Sequence, residues 1–379
     1  MNKKRKIIFL TGTRADFGKL KPLVLSVEHL KDFEVFVFVT GMHMSHKYGY
    51  TVNEVEKTGI SNIHKYVNHT PEDTQDTILA KTIAGFSDYV KEVEPDMIVV
   101  HGDRPEALAG AIVGCFNNYL VAHIEGGEVS GTIDEFIRHA VTKLSHLHFV
   151  ANDEASDRLR QMGEQDKNIF VIGSPDIDIM MSESLPYLDD VILRYDIPFI
   201  KKQYAITLFH PVTTEIESIG EQSRVLVEAI LRSNLDYVVV YPNNDPGSQA
   251  ILYEYEVLKN KPNIRVIPSM RFEHFLVMLR NSQFIIGNSS AGIREAPVYG
   301  VPTINLGTRQ FQRASSDSII DCEIDGHKID EAIEIAVQLK VEPIAAFGRG
   351  NSSELFIDIV TREEFWETTR QKVFVDRMI

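Results

Sequence analysis

Between residues 98 and 139 the chain places acidic residues wherever an α/β sheet would present them to a ligand. The order is Ile98-Val99-Val100-His101-Gly102-Asp103-Arg104, then Ile124-Glu125-Gly126-Gly127-Glu128, then Gly131-Thr132-Ile133-Asp134-Glu135, leading to Arg138-His139. The apolar runs 97–100 and 120–124 read as buried strands, each ending in glycine beside a carboxylate. In an open parallel sheet, ligands bind outside the carboxyl ends of the strands, so Asp103, Glu125 and Asp134 or Glu135 should converge on one crevice. Several carboxylates in one crevice form an acid–base set, because crowding and burial drive their pKa values apart. The chain reads as an enzyme.

Other positions suit an anion. Thr11-Gly12-Thr13-Arg14-Ala15-Asp16-Phe17-Gly18-Lys19 joins a strand to a helix without Gly-x-Gly-x-x-Gly or Gly-Lys-Ser/Thr, which argues against NAD binding and ATP hydrolysis. Arg14 would either hold a phosphate at that helix start or be an ordinary surface arginine. In Phe284-Ile285-Ile286-Gly287-Asn288-Ser289-Ser290-Ala291-Gly292-Ile293-Arg294-Glu295 a strand runs into a small-residue turn and then a helix. Ser289, Ser290 and the amides after them would surround a phosphate, aided by the helix dipole, whereas capping alone needs one serine. Glu295, one turn in, would face sugar or ribose hydroxyls, or solvent. His210, in Leu208-Phe209-His210-Pro211-Val212-Thr213-Thr214-Glu215, ends a strand just before a helix, which favours contact with a phosphate or leaving group over a structural role.

Alternating strands and helices must position these residues. Strands are expected at 6–10, 34–39, 96–100, 120–124, 148–150 and 170–172, and again at 204–209, 237–241, 264–267, 284–286 and 303–306. Helices are expected between them, at 20–30, 74–93, 106–116, 133–144, 154–162, 217–232, 247–258, 271–279 and 292–298. This rhythm gives parallel sheets covered on both faces. With 379 residues, two Rossmann-like domains are expected, at 1–175 and 176–379. A hinge would fall within 173–202, where Pro175, Pro186 and Pro198 lie, and the ligand in the central cleft. The tail, 353–373, reads as one or two helices that either stay on the second domain or cross back to the first.

Composition narrows the partners. A formal charge of −15 disfavours nucleic acid and anionic membrane. Cys115 and Cys322 are too isolated for a disulfide framework, and no Cys/His cluster suggests a metal site. The basic start, Lys3-Lys4-Arg5-Lys6, precedes an apolar run too short for a secretory signal, and no run is long enough to span a membrane, so a reducing cytoplasm is expected.

Together the motifs resemble those of UDP-N-acetylglucosamine 2-epimerases. They are Thr13-Arg14-Ala15-Asp16, His101-Gly102-Asp103-Arg104, His123 to Asp134 (His-Ile-Glu-Gly-Gly-Glu-Val-Ser-Gly-Thr-Ile-Asp), His210-Pro211-Val212-Thr213-Thr214, Gly287-Asn288-Ser289-Ser290 and Asn305-Leu306-Gly307-Thr308-Arg309-Gln310. They keep the family's order from about residue 7 to 313. Non-hydrolysing members carry Gly-Asp-Thr in place of Gly102-Asp103-Arg104, and Glu-Ala-Gly-Leu-Arg in place of Glu125-Gly126-Gly127-Glu128-Val129. Both departures point to the hydrolysing branch of sialic-acid biosynthesis.

The resemblance implies a GT-B-like fold, a UDP-sugar substrate, no redox cofactor, no essential metal and a homodimer. It implies Asp103, Glu125 and Asp134 as the acid–base set, with Asp103 alternatively a structural acid. It implies His210, Ser289, Ser290 and Arg14 around the diphosphate, Arg271 and Phe272 at the uridine, and Arg104, Glu295 and Arg309 among the binding residues. The implied reaction eliminates UDP to 2-acetamidoglucal and hydrates that product to N-acetylmannosamine. Alternatives are the same chemistry on a UDP-2,4-diacetamido-trideoxy sugar and, further off, a glycosyltransferase on the same fold.

Overall fold

A computed structural model describes residues 4–46, 49–70, 73–129, 133–199, 204–212, 214–242, 247–310 and 316–376. Ser130, Gly131, Thr132 and Thr213 of the motifs above lie outside these residues. The chain forms two compact units, Met1–Met181 with Phe347–Ile379, and Ser182–Ala346.

Unit 1 is built on a seven-stranded, wholly parallel sheet in the order β3-β2-β1-β4-β5-β6-β7. Its strands are β1 (Arg5–Thr11), β2 (Phe33–Val39), β3 (Asn62–Lys65), β4 (Met97–His101), β5 (Leu120–Ile124), β6 (Leu147–Val150) and β7 (Ile169–Val171). Its helices are α1 (Arg14–Glu28), α2 (Val52–Glu56), α3 (Gln75–Val93), α4 (Pro105–Phe116), α5 (Ile133–Leu144), α6 (Asp153–Gln161) and α7 (Pro175–Met180). Side chains alternate across a strand, so β1 feeds two cores. Ile7 and Phe9 pack with Leu20, Leu23 and Val24 of α1, while Ile8 and Leu10 pack with Phe86 and Val90 of α3. Helix α1 begins at Arg14, earlier than periodicity suggests, because Thr13 and Asp16 form a reciprocal capping box; Pro22 sits inside the helix.

Unit 2 carries a six-stranded parallel sheet in the order β10-β9-β8-β11-β12-β13. Its strands are β8 (Tyr204–Leu208), β9 (Asp236–Val240), β10 (Ile264–Ile267), β11 (Ile285–Gly287), β12 (Thr303–Leu306) and β13 (Ile319–Cys322). Its α-helices are α8 (Leu188–Tyr195), α9 (Ile219–Ser233), α10 (Ser248–Tyr255), α11 (Phe272–Arg280), α12 (Glu295–Val298) and α13 (Gly326–Gln338).

The compact units differ from the expected limits chiefly in the tail, whose place the sequence leaves open. Unit 2 ends at Ala346, and α14 (Ser352–Val360) and α15 (Glu363–Trp366) belong to unit 1. Phe356 of α14 lies 6.5 Å from the Phe9 ring and 4.7 Å from the Phe149 ring, which completes the core over β1. Residues 176–181 also stay with unit 1, where Ser174 N donates to Phe347 O at 2.6 Å. Among the described residues no helix is long and apolar enough to cross a membrane.

Candidate active site

In both sheets the strand order reverses direction at one point, where the loops diverge and open a crevice. In unit 1 that point lies between β1 and β4, and in unit 2 between β8 and β11. The turns expected to carry chemistry follow these strands or their neighbours.

After β5 the chain turns sharply, and Glu125 sits at φ +59°, an unfavourable region for a non-glycine residue. It is 3% exposed. Its carboxylate accepts from Lys19 Nζ at 3.0 and 2.8 Å, lies 3.1 Å from His101 Nε2, and accepts from Ser174 Oγ. Lys19 also pairs with the buried Asp176 at 3.0 Å. One ammonium therefore sits between two carboxylates drawn from different segments.

Asp103 follows β4, and Arg138 of α5 donates to it. Arg138 is 6% exposed, and its Nη1 lies 3.7 Å from Glu128 Oε2. Asp134 precedes Arg138 by four positions and shares its face of α5, whereas Glu135 pairs with His139 at 3.5 Å. The helix thus turns Asp134, and not Glu135, toward the side that meets Asp103. Arg104 is exposed and caps α4.

The first turn is already occupied. Asp16 Oδ2 accepts from Gly12 N at 2.7 Å and Thr13 N at 3.2 Å, so these amides have no donor left for a phosphate. Arg14 pairs with Glu54 at 3.1 Å. Behind this turn lies Glu106, an acid not singled out above. It is nearly fully buried, and burial pushes its carboxyl above the ordinary range.

In unit 2, β11 runs so close to β8 that a Cβ on Gly287 would lie 2.1 Å from Leu208 O, and only glycine fits. The next residue, Asn288, is 1% exposed and pairs with both backbone groups of His210: Oδ1 accepts from its N–H at 2.7 Å and Nδ2 donates to its carbonyl at 2.8 Å. Asn288 O in turn accepts from Arg309 Nη1 at 3.0 Å and Gln310 Nε2 at 3.3 Å. Arg309 is thereby drawn into the turn that holds His210. Thr308 closes the same end of the sheet, donating to Glu215 at 2.5 Å and helping to lower that carboxyl's pKa.

The helix expected at 292–298 is shorter. Ser290–Gly292 form a 3-10 turn, and α12 has only four residues. Ser289 Oγ caps Ala291 N at 3.3 Å, and so short a helix lends little dipole to an anion. Ser289 and Ser290 nevertheless follow Asn288 directly, at the end of the strand that neighbours β8, with half-buried Glu295 a few residues on. Arg271 and Phe272 open α11 beside Tyr195, whose hydroxyl accepts from Arg271 N at 3.0 Å.

Sequence reasoning missed Lys19, Ser174, Asp176, Arg138 and the pinning role of Asn288. Lys19, Arg138 and Asn288 carried a signal, each lying in a segment already marked, and Ser174 and Asp176 carried none.

The profile of the family described as UDP-N-acetylglucosamine 2-epimerase matches residues 26–361. The chain is 45% identical over 376 residues to a UDP-N-acetylglucosamine 2-epimerase of Neisseria meningitidis serogroup B, covering 98% of this chain and 99% of that protein. It is 36% identical over 355 residues to a UDP-N,N'-diacetylbacillosamine 2-epimerase (hydrolyzing) of Legionella pneumophila, covering 92% and 94%. It is 32% identical over 339 residues to polysialic acid biosynthesis protein P7 of Escherichia coli, covering 88% and 86%. The fold matches the crystal structure of a Neisseria meningitidis UDP-GlcNAc 2-epimerase bound to UDP-GlcNAc, with TM-score 0.80 and 19% identity over 94% and 99% of the two chains. The expected fold class, paired Rossmann-like units of the GT-B-like kind, is the one found.

Proposed function

The chain belongs to the UDP-N-acetylglucosamine 2-epimerase family, and from that premise we propose that it is a hydrolysing member, converting UDP-N-acetylglucosamine and water to N-acetylmannosamine and UDP. The product suits sialic-acid synthesis, and the likeness to a polysialic acid biosynthesis protein favours that route.

The observation that supports the reading is the pairing of two acids of the unit 1 set, Glu125 and Asp103, with cations or histidine. Glu125 is held by Lys19 and His101, and Asp103 by Arg138, on the helix that presents Asp134. Glu128, where non-hydrolysing relatives carry leucine, puts a further carboxylate 3.7 Å from Arg138. Carboxylates held in place this way suit the proposed transfer of a proton at a carbon that is not itself acidic.

No ring carbonyl adjoins C2 of the sugar. Weakening the C1–O bond to UDP gives C1 oxocarbenium character, and that acidifies C2–H. A carboxylate of the set takes the C2 proton, the C1–O bond breaks, UDP departs with the electron pair, and 2-acetamidoglucal remains. Water then adds at C1 as C2 receives a proton on the opposite face. Well-placed acids and bases contribute about 10²–10⁴-fold each, and stabilising the leaving charge often contributes more. In this assignment His210, Ser289, Ser290 and Arg14 hold the diphosphate, Arg271 and Phe272 serve the uridine, and Arg104, Glu295 and Arg309 complete the binding set. The family resemblance also favours a cytoplasmic homodimer needing no cofactor.

The Legionella relative's name supports a second reading, the same reaction on a UDP-diacetamido sugar. Parallel assays of UDP release from both nucleotide sugars decide between them. The proposal expects kcat/KM to favour UDP-N-acetylglucosamine, and a preference for the diacetamido sugar overturns that choice of substrate.

A further inference from the structure

Helix α5 meets the acid–base turns along one face. Asp134, Arg138 and Thr142 recur at four-residue spacing and so line that face. Arg138 holds Asp103 directly. One turn further on, Thr142 Oγ1 lies 3.1 Å from His123 Nδ1, and His123 Nε2 lies 2.8 Å from Gly102 O. A carbonyl can only accept, so Nε2 carries the ring proton and Nδ1 accepts from the Thr142 hydroxyl. His123 is wholly buried, and burial pushes its pKa well below the usual value, which keeps the ring neutral and this bonding fixed. The turn bearing Asp103 is therefore tied to α5 twice. The turn after Glu125 rests on the same pair, since a Cβ on Gly126 would come 2.8 Å from His123 Nδ1 and 3.0 Å from Thr142 Oγ1.

The far end of α5 is closed by the tail of the chain. A helix leaves its last carbonyls open, and a cation there also suits the negative end of its dipole. Lys372 Nζ fills this role, donating to Thr142 O at 2.8 Å and Ser145 O at 2.6 Å. It also pairs at 2.7 Å with Glu164, a carboxylate shared with Lys143 and His148. The surrounding tail is fixed by Val375 N donating to Gly163 O at 3.0 Å and by His146 Nε2 at 3.0 Å from Arg370 O.

We propose that Lys372 is a positioning residue for the acid–base set: by closing the last turn of α5 it fixes Thr142, and through Thr142 and His123 it fixes the turn that carries Asp103. The proposal rests on the 2-epimerase reading for its kinetic consequences, although its structural link is measurable without substrate.

Two variants of the full chain test it. Lys372→Met keeps the length of the side chain and removes its donors. Thr142→Val keeps the carbonyl that Lys372 binds and removes only the hydroxyl link. Each is assayed for kcat and KM of UDP release, for Tm, and for hydrogen exchange at the Gly102 amide, which donates to Ile124 O at 3.0 Å. Both variants should lower kcat about tenfold or more, as small displacements of reacting groups do, with KM little changed and exchange at Gly102 faster. The double variant should be no slower than the slower single one, because both cut one path. Lys372→Arg, which retains charge and donors, should stay near the parent. A lowered Tm with parental kcat and parental exchange overturns the proposal, and so does a lost kcat with unchanged exchange. If Lys372→Met does not fold, Thr142→Val and Lys372→Arg decide by the same readouts. A parent enzyme that releases no UDP refutes the hydrolysing reading, while exchange at Gly102 still decides the positioning link.

Discussion

Glu125 holds a backbone conformation that only its surroundings can enforce. Its φ of +59° costs about 1–3 kcal/mol for a residue of this kind, and such strain collects at functional sites. Its position was legible, because an apolar run ending at a glycine-flanked acid marks a strand end. Its partners were not, because Lys19 lies 106 residues away and nothing in local spacing joins the two. Lys19 separates two carboxylates whose side chains are only 4% and 2% exposed. Lys19→Met should therefore leave both acids buried without their cation and destabilise the protein by about 3–5 kcal/mol, read from urea unfolding. A loss under about 1 kcal/mol would mean that the pair is solvated. Asp103→Asn should reduce UDP release by about 10²-fold or more at near-parental Tm, and unchanged turnover would remove Asp103 from the acid–base set.

At the scale of elements, the site depends on how closely turns and helices approach. Asn288 ties the end of β11 to the His210 turn after β8 through both backbone groups of His210. Asn288→Ala leaves the partly buried N–H and carbonyl of His210 without these partners, and such a loss costs about 1–3 kcal/mol where water does not replace it. The expected result is a lowered Tm together with a raised KM for the UDP-sugar, and a lowered Tm with parental KM would make the tie purely structural. Helix α4 packs so tightly on β5 that a Cβ on Gly114 would lie 2.4 Å from Val121 Cγ2. Gly114→Ala should destabilise by about 1–3 kcal/mol in urea unfolding. The central strands and long helices were readable because burial on both faces demands continuous apolar runs. Of the four edge strands, β7 and β10 keep apolar runs and were readable, whereas β3 and β13 were not, because a strand paired on one side only tolerates polar residues such as His64, Lys65 and Asp321. The short α12 escaped for another reason: Ser289 and Gly292 favour turns as readily as helix starts.

At the scale of the whole molecule, the chain leaves unit 1 at Ser182 and returns at Phe347 to finish it. Two sheets were foreseeable from the repeated strand–helix rhythm. The destination of the tail was not, because an amphipathic segment such as 352–360 states that it must be covered and not by what. The returning tail also sets an acid limit. Burial alone would raise the Glu164 carboxyl, but its bond from His148 and the ammonium groups of Lys372 and Lys143 hold it at about 2. A depressed carboxylate contributes stability above its unfolded value of 4.5, and this is lost as pH falls toward 2. Burial lowers His148 from 6.5, so below that pH the unfolded chain takes up protons that the folded one refuses. Both effects act in one direction. Tm should fall below pH 6.5 and fall most steeply below 4.5, and a Tm flat from pH 7 to 4 would contradict the assignment. NMR of the full chain with UDP-N-acetylglucosamine in deuterated water tests whether hydrolysis and epimerisation run through a glycal. A hydrolysing epimerase gives free UDP and N-acetylmannosamine carrying deuterium at C2. UDP-N-acetylmannosamine formed without net release of UDP, or N-acetylmannosamine that keeps its C2 proton, would contradict it.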